Sequence, residues 1–212
     1  MLLTIIQYIL AGALITIAVS AVVIPTGFFI GLGFALLRIY GNRPLSRFTV
    51  IYSTLMRGVP PVVLLFVLYF VMAENINISA FWAGSIALAI ISSSYQMEIL
   101  RGAIQAVGAG QMVAARAVGM SRWKAIRHVI LPQALRIVIP SWSNEAASVV
   151  KDSSLVYVIG VQEMLRRAQF VSARTYQPFL AYSIAAAIYF ILVFLVNRLL
   201  DTAERRTRIP EF

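Results

Sequence analysis

The stretch RGAIQAVGAGQMVAARAVGMSRWKAIRHVILPQALR, residues 101–136, is a basic segment that interrupts an otherwise strongly apolar chain. It holds two small alanines, a glycine four residues after the second, and a Leu-Pro pair whose proline is thirteen residues after that glycine: Ala114, Ala115, Gly119, Leu131 and Pro132. Long apolar stretches lie on both sides of it. A membrane protein seldom keeps so long a polar loop unless the loop contacts something, so the function depends on this segment.

The composition indicates an integral membrane protein. Of the 212 residues, 60% are hydrophobic and only 12% are charged, and the mean hydropathy is +0.85. A spanning helix needs about 20 mainly apolar residues. Three of the uncharged stretches are long enough alone, and the one at residues 58–73 borrows residues from Phe48 onward. The uncharged stretches are residues 1–37, 58–73, 75–97 and 175–197.

We therefore expect an all-α membrane protein of five transmembrane helices that forms one domain over residues 1–212. A further span, at about 129–151, is apolar apart from Arg136 and Glu145. A cytoplasmic loop is expected at about 106–128 and an extracytoplasmic segment at about 152–176. The predicted spans are about 4–37, 50–73, 77–105, 129–151 and 177–200.

The net charge of +10 is explained by membrane topology rather than by nucleic-acid binding. Fourteen of the eighteen basic residues fall on one side of the membrane if the N-terminus is outside. The loop after the second span carries only Glu74. An excess of Lys and Arg marks the cytoplasmic side, so we expect the N-terminus outside, the C-terminus in the cytoplasm and no nucleic-acid partner.

The segment at 152–176 departs from this charge rule, because it lies outside yet is rich in arginine. Its sequence LVYVIGVQEMLRRAQFVSA, residues 155–173, is typical of a partly apolar helix in the outer leaflet. Two interpretations stay open. The helix packs on the bundle at the interface, or it forms an extracellular gate or a docking surface for a partner.

The chain carries no recognisable catalytic apparatus. It has no cysteine, a single histidine (His128) and no G-x-x-x-x-G-K-[ST] phosphate loop. We expect neither an enzyme nor a metal or cofactor site in this chain. If it moves solute uphill, the energy must come from a partner or an ion gradient.

The basic segment predicts a short helix, a sharp turn and a second short helix. Residues 112–118 can form two helical turns, and Gly119 offers the positive φ that ends such a helix. Ser121 is placed to cap the next helix, residues 122–128. Pro132 falls in the first turn of the following span, where its missing N–H costs little.

This segment resembles the cytoplasmic signature of ABC transporter permease subunits, EAA-x3-G-x9-I-x-L-P. Here it reads VAA-RAV-G-MSRWKAIRH-V-I-L-P, with every spacing kept and with Val113 in place of the glutamate. Further motifs in the correct order resemble the polar amino acid uptake branch, from about the second span to residues 204–206. They are Gly110-Gln111, Gly119-Met120-Ser121, residues 130–134, Arg57-Gly58-Val59-Pro60, Tyr95 through Glu98 to Arg101-Gly102, and residues 151–155.

The resemblance implies a type I ABC importer permease in the cell inner membrane. Two five-helix permease subunits, identical or paralogous, would form the pore, an ATP-binding subunit dimer would bind ATP and Mg²⁺, and an extracytoplasmic binding protein would deliver a polar amino acid. The cytoplasmic loop would be the coupling helix. Contact with the ATPase would involve Ala114, Ala115, Gly119, Met120, Ser121 and Arg122.

Glu145 is the leading candidate for binding substrate. Ionisable side chains within spans are costly and mark functional sites, and Glu145 would pair with a cationic group. A structural role within the bundle is the equal alternative, and a basic amino acid is favoured over glutamine, glutamate or an opine. Further candidates are Asn144 and Ser148 on the same span, and the run Ser92 to Ser94 and Tyr95 on the third span.

Two charged pairs are candidates for bracing or gating. Glu98 and Arg101 are three residues apart and can meet on one helix face, which favours an internal brace. Lys151 and Asp152 end the fourth span and are candidates for the outer gate, with binding of a substrate carboxylate as the alternative role for Lys151. The alternatives to an ABC permease are an ATP-independent secondary transporter or channel subunit, and a membrane scaffold, neither of which explains the alanine, glycine and Leu-Pro spacing.

Overall fold

The computed structural model describes residues 2–75 and 77–207, and helices make up most of this part of the chain. The α-helices are, in chain order, α1 (Leu2–Leu10), α2 (Ala13–Tyr40), α3 (Arg43–Gly58), α4 (Pro61–Asn75), α5 (Ala80–Ala106), α6 (Ala109–Ala117), α7 (Arg122–Ala125), α8 (Leu131–Ile137), α9 (Ile139–Asp152), α10 (Met164–Thr175) and α11 (Pro178–Thr207). A π-helical segment, Ile126–Ile130, joins α7 to α8, and a 3₁₀-helix, Ser153–Ile159, follows α9.

The first predicted span is longer than expected. Helices α1 and α2 together form one apolar helix, Leu2–Tyr40, of 39 residues. Pro25 lies inside α2, and the helix continues through it. The break between α1 and α2 falls at residues 11–12. A Cβ added to Gly12 would lie 2.7 Å from the backbone nitrogen of Met164. A glycine is required there because the backbone at the start of α10 approaches so closely.

The second predicted span, 50–73, is not one straight helix. Helix α3 ends at Gly58, Val59 is extended with φ −110° and ψ 140°, and α4 begins at Pro61. The direction of the chain bends by 111° from the first helix to the second. The cause is the pair Pro60-Pro61, because a proline disfavours helical dihedrals in the residue before it and removes a backbone donor.

Helices α2 and α5 form the closest pair in the bundle. An added Cβ at Gly31 would lie 2.9 Å from the backbone nitrogen of Met97, and one at Gly27 would lie 2.5 Å from Nε2 of Gln96. Gly31 thus lets the two helices approach almost backbone to backbone, and Gly27 leaves space for the side chain of Gln96. Two buried apolar clusters continue the packing, one with α8 around Leu100 and one towards the 3₁₀-helix around Leu88.

The predicted extracytoplasmic segment, 152–176, folds against the first and last helices. It consists of the 3₁₀-helix, a turn at Gly160 with φ +93°, and α10. Glu163 caps α10 by accepting hydrogen bonds from the backbone nitrogens of Leu165 and Arg166, at 2.7 and 2.6 Å, and Tyr189 of α11 donates a third at 2.6 Å. The carboxylate is fully buried, so it anchors the segment to α11.

By length and composition, two helices within the described residues are long and apolar enough to cross a membrane, Leu2–Tyr40 and Pro178–Thr202. The bent pair α3 and α4 makes a third if it is one span. The number of five spans and their orientation therefore stay predictions. The side chain of Glu74 and those of Glu204 and Arg206 lie outside the described residues.

Candidate functional site

A cavity of about 380 Å³ lies between α2, α4, α5 and α9. Val23 of α2 and Pro61 of α4 contribute apolar walls. The polar residues recur at helical spacings that place them on one face of α5 and one face of α9. They are Ser92, Tyr95, Glu145, Ser148, Lys151 and Asp152. This volume is within the range of small-molecule sites, about 300–1,000 Å³.

Glu145 reaches across the cavity wall to α5. The hydroxyl of Ser92 donates a hydrogen bond of 2.8 Å to Oε1 of Glu145. The next two serines behave differently, because Ser93 and Ser94 donate to the backbone carbonyls of Ile90 and Ile91 within their own helix, at 2.8 and 2.7 Å. Ser92 is thus the serine of this run that is directed at the carboxylate.

A second polar contact joins the same two helices behind the cavity. Gln96, which is only 1% exposed, accepts a hydrogen bond of 2.8 Å from the indole nitrogen of Trp142. Its amide nitrogen donates to the hydroxyl oxygen of Ser92 at 3.1 Å and to the carbonyl of Ile24 at 3.3 Å. The amide therefore connects α2, α5 and α9 at one point.

The structure brings most of the predicted substrate residues together. Glu145, Ser148 and Tyr95 line the cavity. Ser94 is fully buried and bonded to its own helix, and Asn144 is exposed, so neither lies on the cavity wall. Their assignment to substrate binding stays a prediction without support from this geometry.

The predicted outer pair also lines the cavity. Lys151 and Asp152 have exposed side chains at the end of α9, and both contribute to the wall. The cavity is consequently lined by two carboxylates, those of Glu145 and Asp152, and by one ammonium group. This set of charges suits a ligand that carries both a cationic and an anionic group.

Glu98 lies at the centre of a charged cluster, which we call the Glu98 cluster. Arg101 donates from Nε to Oε2 of Glu98 at 2.8 Å, as the three-residue spacing suggested. Ser53 donates at 3.1 Å, and the guanidinium groups of Arg38 and Arg57 approach Oε1 at 3.7 and 3.9 Å. The carboxylate thus ties α2, α3 and α5 together.

The basic segment has the turn that its sequence predicts. Gly119 has φ +85°, and its N–H and that of Met120 bond to the carbonyls of Arg116 and Ala115, each at 3.1 Å. This is the Schellman arrangement that ends a helix. Ser121 then caps α7 by accepting from the backbone nitrogen of Lys124 at 3.4 Å.

The expected second helix of this segment, 122–128, is only partly α-helical. It is α-helical over Arg122–Ala125 and π-helical over Ile126–Ile130, which runs into α8 at Leu131. The π turn lies immediately before Pro132. A proline here removes one backbone donor and its ring crowds the carbonyl four residues earlier, which favours a local departure from the regular α-helical pattern.

The surface of the segment includes three large apolar side chains. The side chains of Val113, Val118 and Trp123 are 68%, 76% and 70% exposed. Ala114 is exposed too, whereas Ala115 is buried within the chain. Val113 occupies the glutamate position of the signature and faces outward, so a side chain at that position does not hold the segment's own fold.

The sequence did not single out Gln96 or Trp142. A signal was available, because Gln96 is a polar residue in an apolar helix and lies four residues after Ser92, on the same face. The contact between Ser92 and Glu145 spans 53 residues. It depends on how α5 and α9 pack, which no local pattern reports.

The sequence matches the family of the binding-protein-dependent transport system inner membrane component over residues 23–209. A putative glutamine transport system permease protein of Rickettsia conorii is 35% identical over 201 residues, covering 94% of this chain and 92% of the relative. An arginine transport system permease protein of Bacillus subtilis is 33% identical over 205 residues, covering 96% of this chain and 94% of the relative.

Solved structures of ABC transporters have the same fold as this chain. A crystal structure of an amino acid ABC transporter with histidines superposes with a TM-score of 0.85 at 37% identity, covering 94% of both chains. An inward-facing methionine ABC transporter shares the fold, with a TM-score of 0.84 at 21% identity over 96% of this chain and 97% of the other. The fold is that of a type I ABC importer permease. The chain belongs to the family of binding-protein-dependent inner membrane transport components.

Proposed function

We propose that this chain is the pore subunit of an ATP-driven importer of polar amino acids. It would span the membrane five times, with the N-terminus outside, and pair with a second permease subunit. An ATP-binding subunit dimer would bind ATP and Mg²⁺, and an extracytoplasmic binding protein would deliver the solute. The observation that carries the proposal is the cavity between α2, α4, α5 and α9, with Glu145 on its wall.

The charges of the cavity support an amino acid as the solute. The α-ammonium group or a basic side chain would pair with Glu145, and Lys151 is the one cationic group among the lining residues for an α-carboxylate. The arginine and glutamine permease relatives fit this class of solute. Two carboxylates on the wall favour a basic amino acid over an acidic one.

The basic segment supports coupling to a partner. Its exposed apolar side chains, with Ala114 and Gly119 between them, offer a surface that a groove of another protein can cover. The segment is joined to the cavity on both sides, because it begins within the end of α5, which runs to Ala106, and α9 follows it through α8. A push on this surface would therefore reach both helices that carry the polar wall, and rigid-body movement would alternate access.

The test is uptake by the complex of permease, ATP-binding subunit and binding protein in proteoliposomes, driven by ATP and measured with a panel of amino acids. We expect Glu145→Gln and Glu145→Ala to lower arginine uptake about tenfold or more, since a hydrogen bond to a charged group contributes about 1.5–3 kcal/mol. Ser92→Ala should lower it less. Flux without ATP would instead indicate a secondary transporter or a channel.

Ser85→Ala is the matched control. Ser85 is a fully buried serine of α5, and its hydroxyl has no hydrogen-bond partner among the described residues. It does not line the cavity, so its removal should leave uptake unchanged. Undiminished uptake of basic amino acids by both Glu145 variants would refute the role given to the cavity.

A further inference from the structure

The orientation of the Gln96 side chain is fixed by its neighbours. An indole N–H can only donate and a backbone carbonyl can only accept. The oxygen of the amide must therefore face Trp142, at 2.8 Å, and the nitrogen must face the carbonyl of Ile24, at 3.3 Å. The same nitrogen then lies 3.1 Å from the hydroxyl oxygen of Ser92.

This orientation decides what the Ser92 hydroxyl does. A hydroxyl has one hydrogen to donate, and the N–H of Gln96 already occupies an acceptor position on its oxygen. The hydrogen of Ser92 is directed to Glu145 at 2.8 Å. Serines in helices otherwise tend to bond their own backbone, as Ser93 and Ser94 do in the next two positions.

The result is a chain of hydrogen bonds that all point towards one carboxylate: Trp142 to Gln96, Gln96 to Ser92, and Ser92 to Glu145. Bonds aligned in this way polarise and strengthen one another in a low-dielectric interior. Only the last two members, Ser92 and Glu145, line the cavity. Gln96 lies behind them and is buried.

The Gln96 amide occupies a space that is open only because α2 has a glycine beside it. An added Cβ at Gly27 would lie 2.5 Å from Nε2 of Gln96, closer than real side-chain contacts allow. The atom it would displace is the end of a flexible side chain, so the helices need not separate. Gly27 therefore leaves the space that the amide occupies.

We propose that Gln96 is a positioning residue, which commits the Ser92 hydroxyl to Glu145 and so sets how tightly the cavity binds a cationic group. This inference rests on the proposed function of the cavity. Without Gln96 the Ser92 hydroxyl is free to turn to its own helix. The carboxylate then loses an oriented donor, and its position relative to a bound cation is no longer fixed.

The test is equilibrium binding of radiolabelled L-arginine to the permease and ATP-binding subunit complex in lipid nanodiscs, without binding protein or ATP. Gln96→Met keeps the length and apolar volume of the side chain but removes its hydrogen bonds. We expect it to raise the Kd for arginine about tenfold. Trp142→Phe should raise it about threefold, since it removes only the first donor of the chain.

Gly27→Ala displaces the amide without altering it and should weaken binding in the same direction. Gly33→Ala is its matched control, because an added Cβ there meets no described atom within 4 Å, and the Kd should stay unchanged. These two α2 variants keep the proposal testable if Gln96→Met does not fold. Basal ATP hydrolysis and thermal stability of each complex report its integrity.

The double variant decides whether Gln96 acts through Glu145. If it does, Gln96→Met combined with Glu145→Gln should bind arginine no more weakly than Glu145→Gln alone. Additive losses, or unchanged binding in Gln96→Met and Gly27→Ala while Glu145→Gln binds weakly, would overturn the inference and leave the proposed function standing. Unchanged binding in Glu145→Gln would overturn the proposed function itself.

Discussion

The replacement Glu98→Gln removes the charge at the centre of the Glu98 cluster while it keeps the shape of the side chain. The carboxylate is 16% exposed, and it faces three guanidinium groups on α2, α3 and α5. With a neutral amide in its place, the three arginines repel one another without a counter-charge. We expect the variant to unfold more readily and to loosen the contact of α3 with α5.

The distances give the size of the effect. The bond from Arg101, at 2.8 Å, is the strong one, and a bond between charged groups contributes about 1 kcal/mol more than a neutral one. Arg38 and Arg57 lie at 3.7 and 3.9 Å, and the side chain of Arg57 is 42% exposed. Such long, partly exposed pairs contribute about 0.2–1 kcal/mol each. Glu98→Gln should therefore cost about 2 kcal/mol in total.

The same distances predict a ranking among the arginines. Arg101→Gln should cost about 1–2 kcal/mol, and Arg57→Gln less than about 0.5 kcal/mol. The assay is equilibrium unfolding in mixed micelles, followed by tryptophan fluorescence. Arg47→Gln on the exposed side of α3 is the control. The double variant of Glu98 and Arg101 should show a coupling of about 1 kcal/mol. Equal losses in Arg57→Gln and Arg101→Gln, or no loss in Glu98→Gln, would refute the reasoning.

Two glycines yield further predictions. Gly12→Ala places a Cβ 2.7 Å from the backbone nitrogen of Met164, so it should destabilise the fold by about 1–3 kcal/mol in the same unfolding assay. Gly33→Ala should not destabilise it, because the added Cβ meets nothing and alanine favours a helix over glycine. An unaffected Gly12→Ala would contradict the close approach. Gly119→Ala forces an ordinary residue to φ +85° at a cost of about 1–2 kcal/mol, so we expect reduced stimulation of the ATPase at unchanged arginine binding; full stimulation would show that the turn is dispensable for coupling.

Local chemistry was predictable from the sequence, and the arrangement of helices was not. The turn at Gly119 and the cap at Ser121 were predicted and are present, because each is determined by the conformational preference of one residue. The bend after Gly58 was missed. Its Pro60-Pro61 signal was visible, but a count of apolar residues over a window gives the length of a span and carries no information on direction.

In the candidate site too, one residue could be predicted from its local sequence, whereas its partners depend on how the helices pack. Glu145 could be predicted from the sequence alone, because a carboxylate within an apolar span is energetically costly and is therefore a candidate functional residue. Its partner Ser92 was one of three adjacent serines that the sequence could not distinguish. Ser92 is the serine that contacts Glu145 because of the faces that α5 and α9 present to each other, and because the amide of Gln96 bonds to its hydroxyl. Gln96 itself has room only because Gly27 of α2 lacks a side chain.

The helices that form the cavity walls are not all held equally firmly, and this difference predicts which of them can move when the cavity opens. Helices α5 and α9 are joined by the bonds from Ser92 and Trp142. Helix α5 runs into the basic segment, and α9 follows that segment through α8. Helix α2 is packed on α5 through Gly27 and Gly31 with almost no free space. Helix α4 differs, since among residues 61–72 only Leu65 is buried and the bend at residues 59–60 precedes it. Under the proposed function, a push on the basic segment would therefore move α2, α5 and α9 most easily as one body, and α4 would be the wall against which that body shifts.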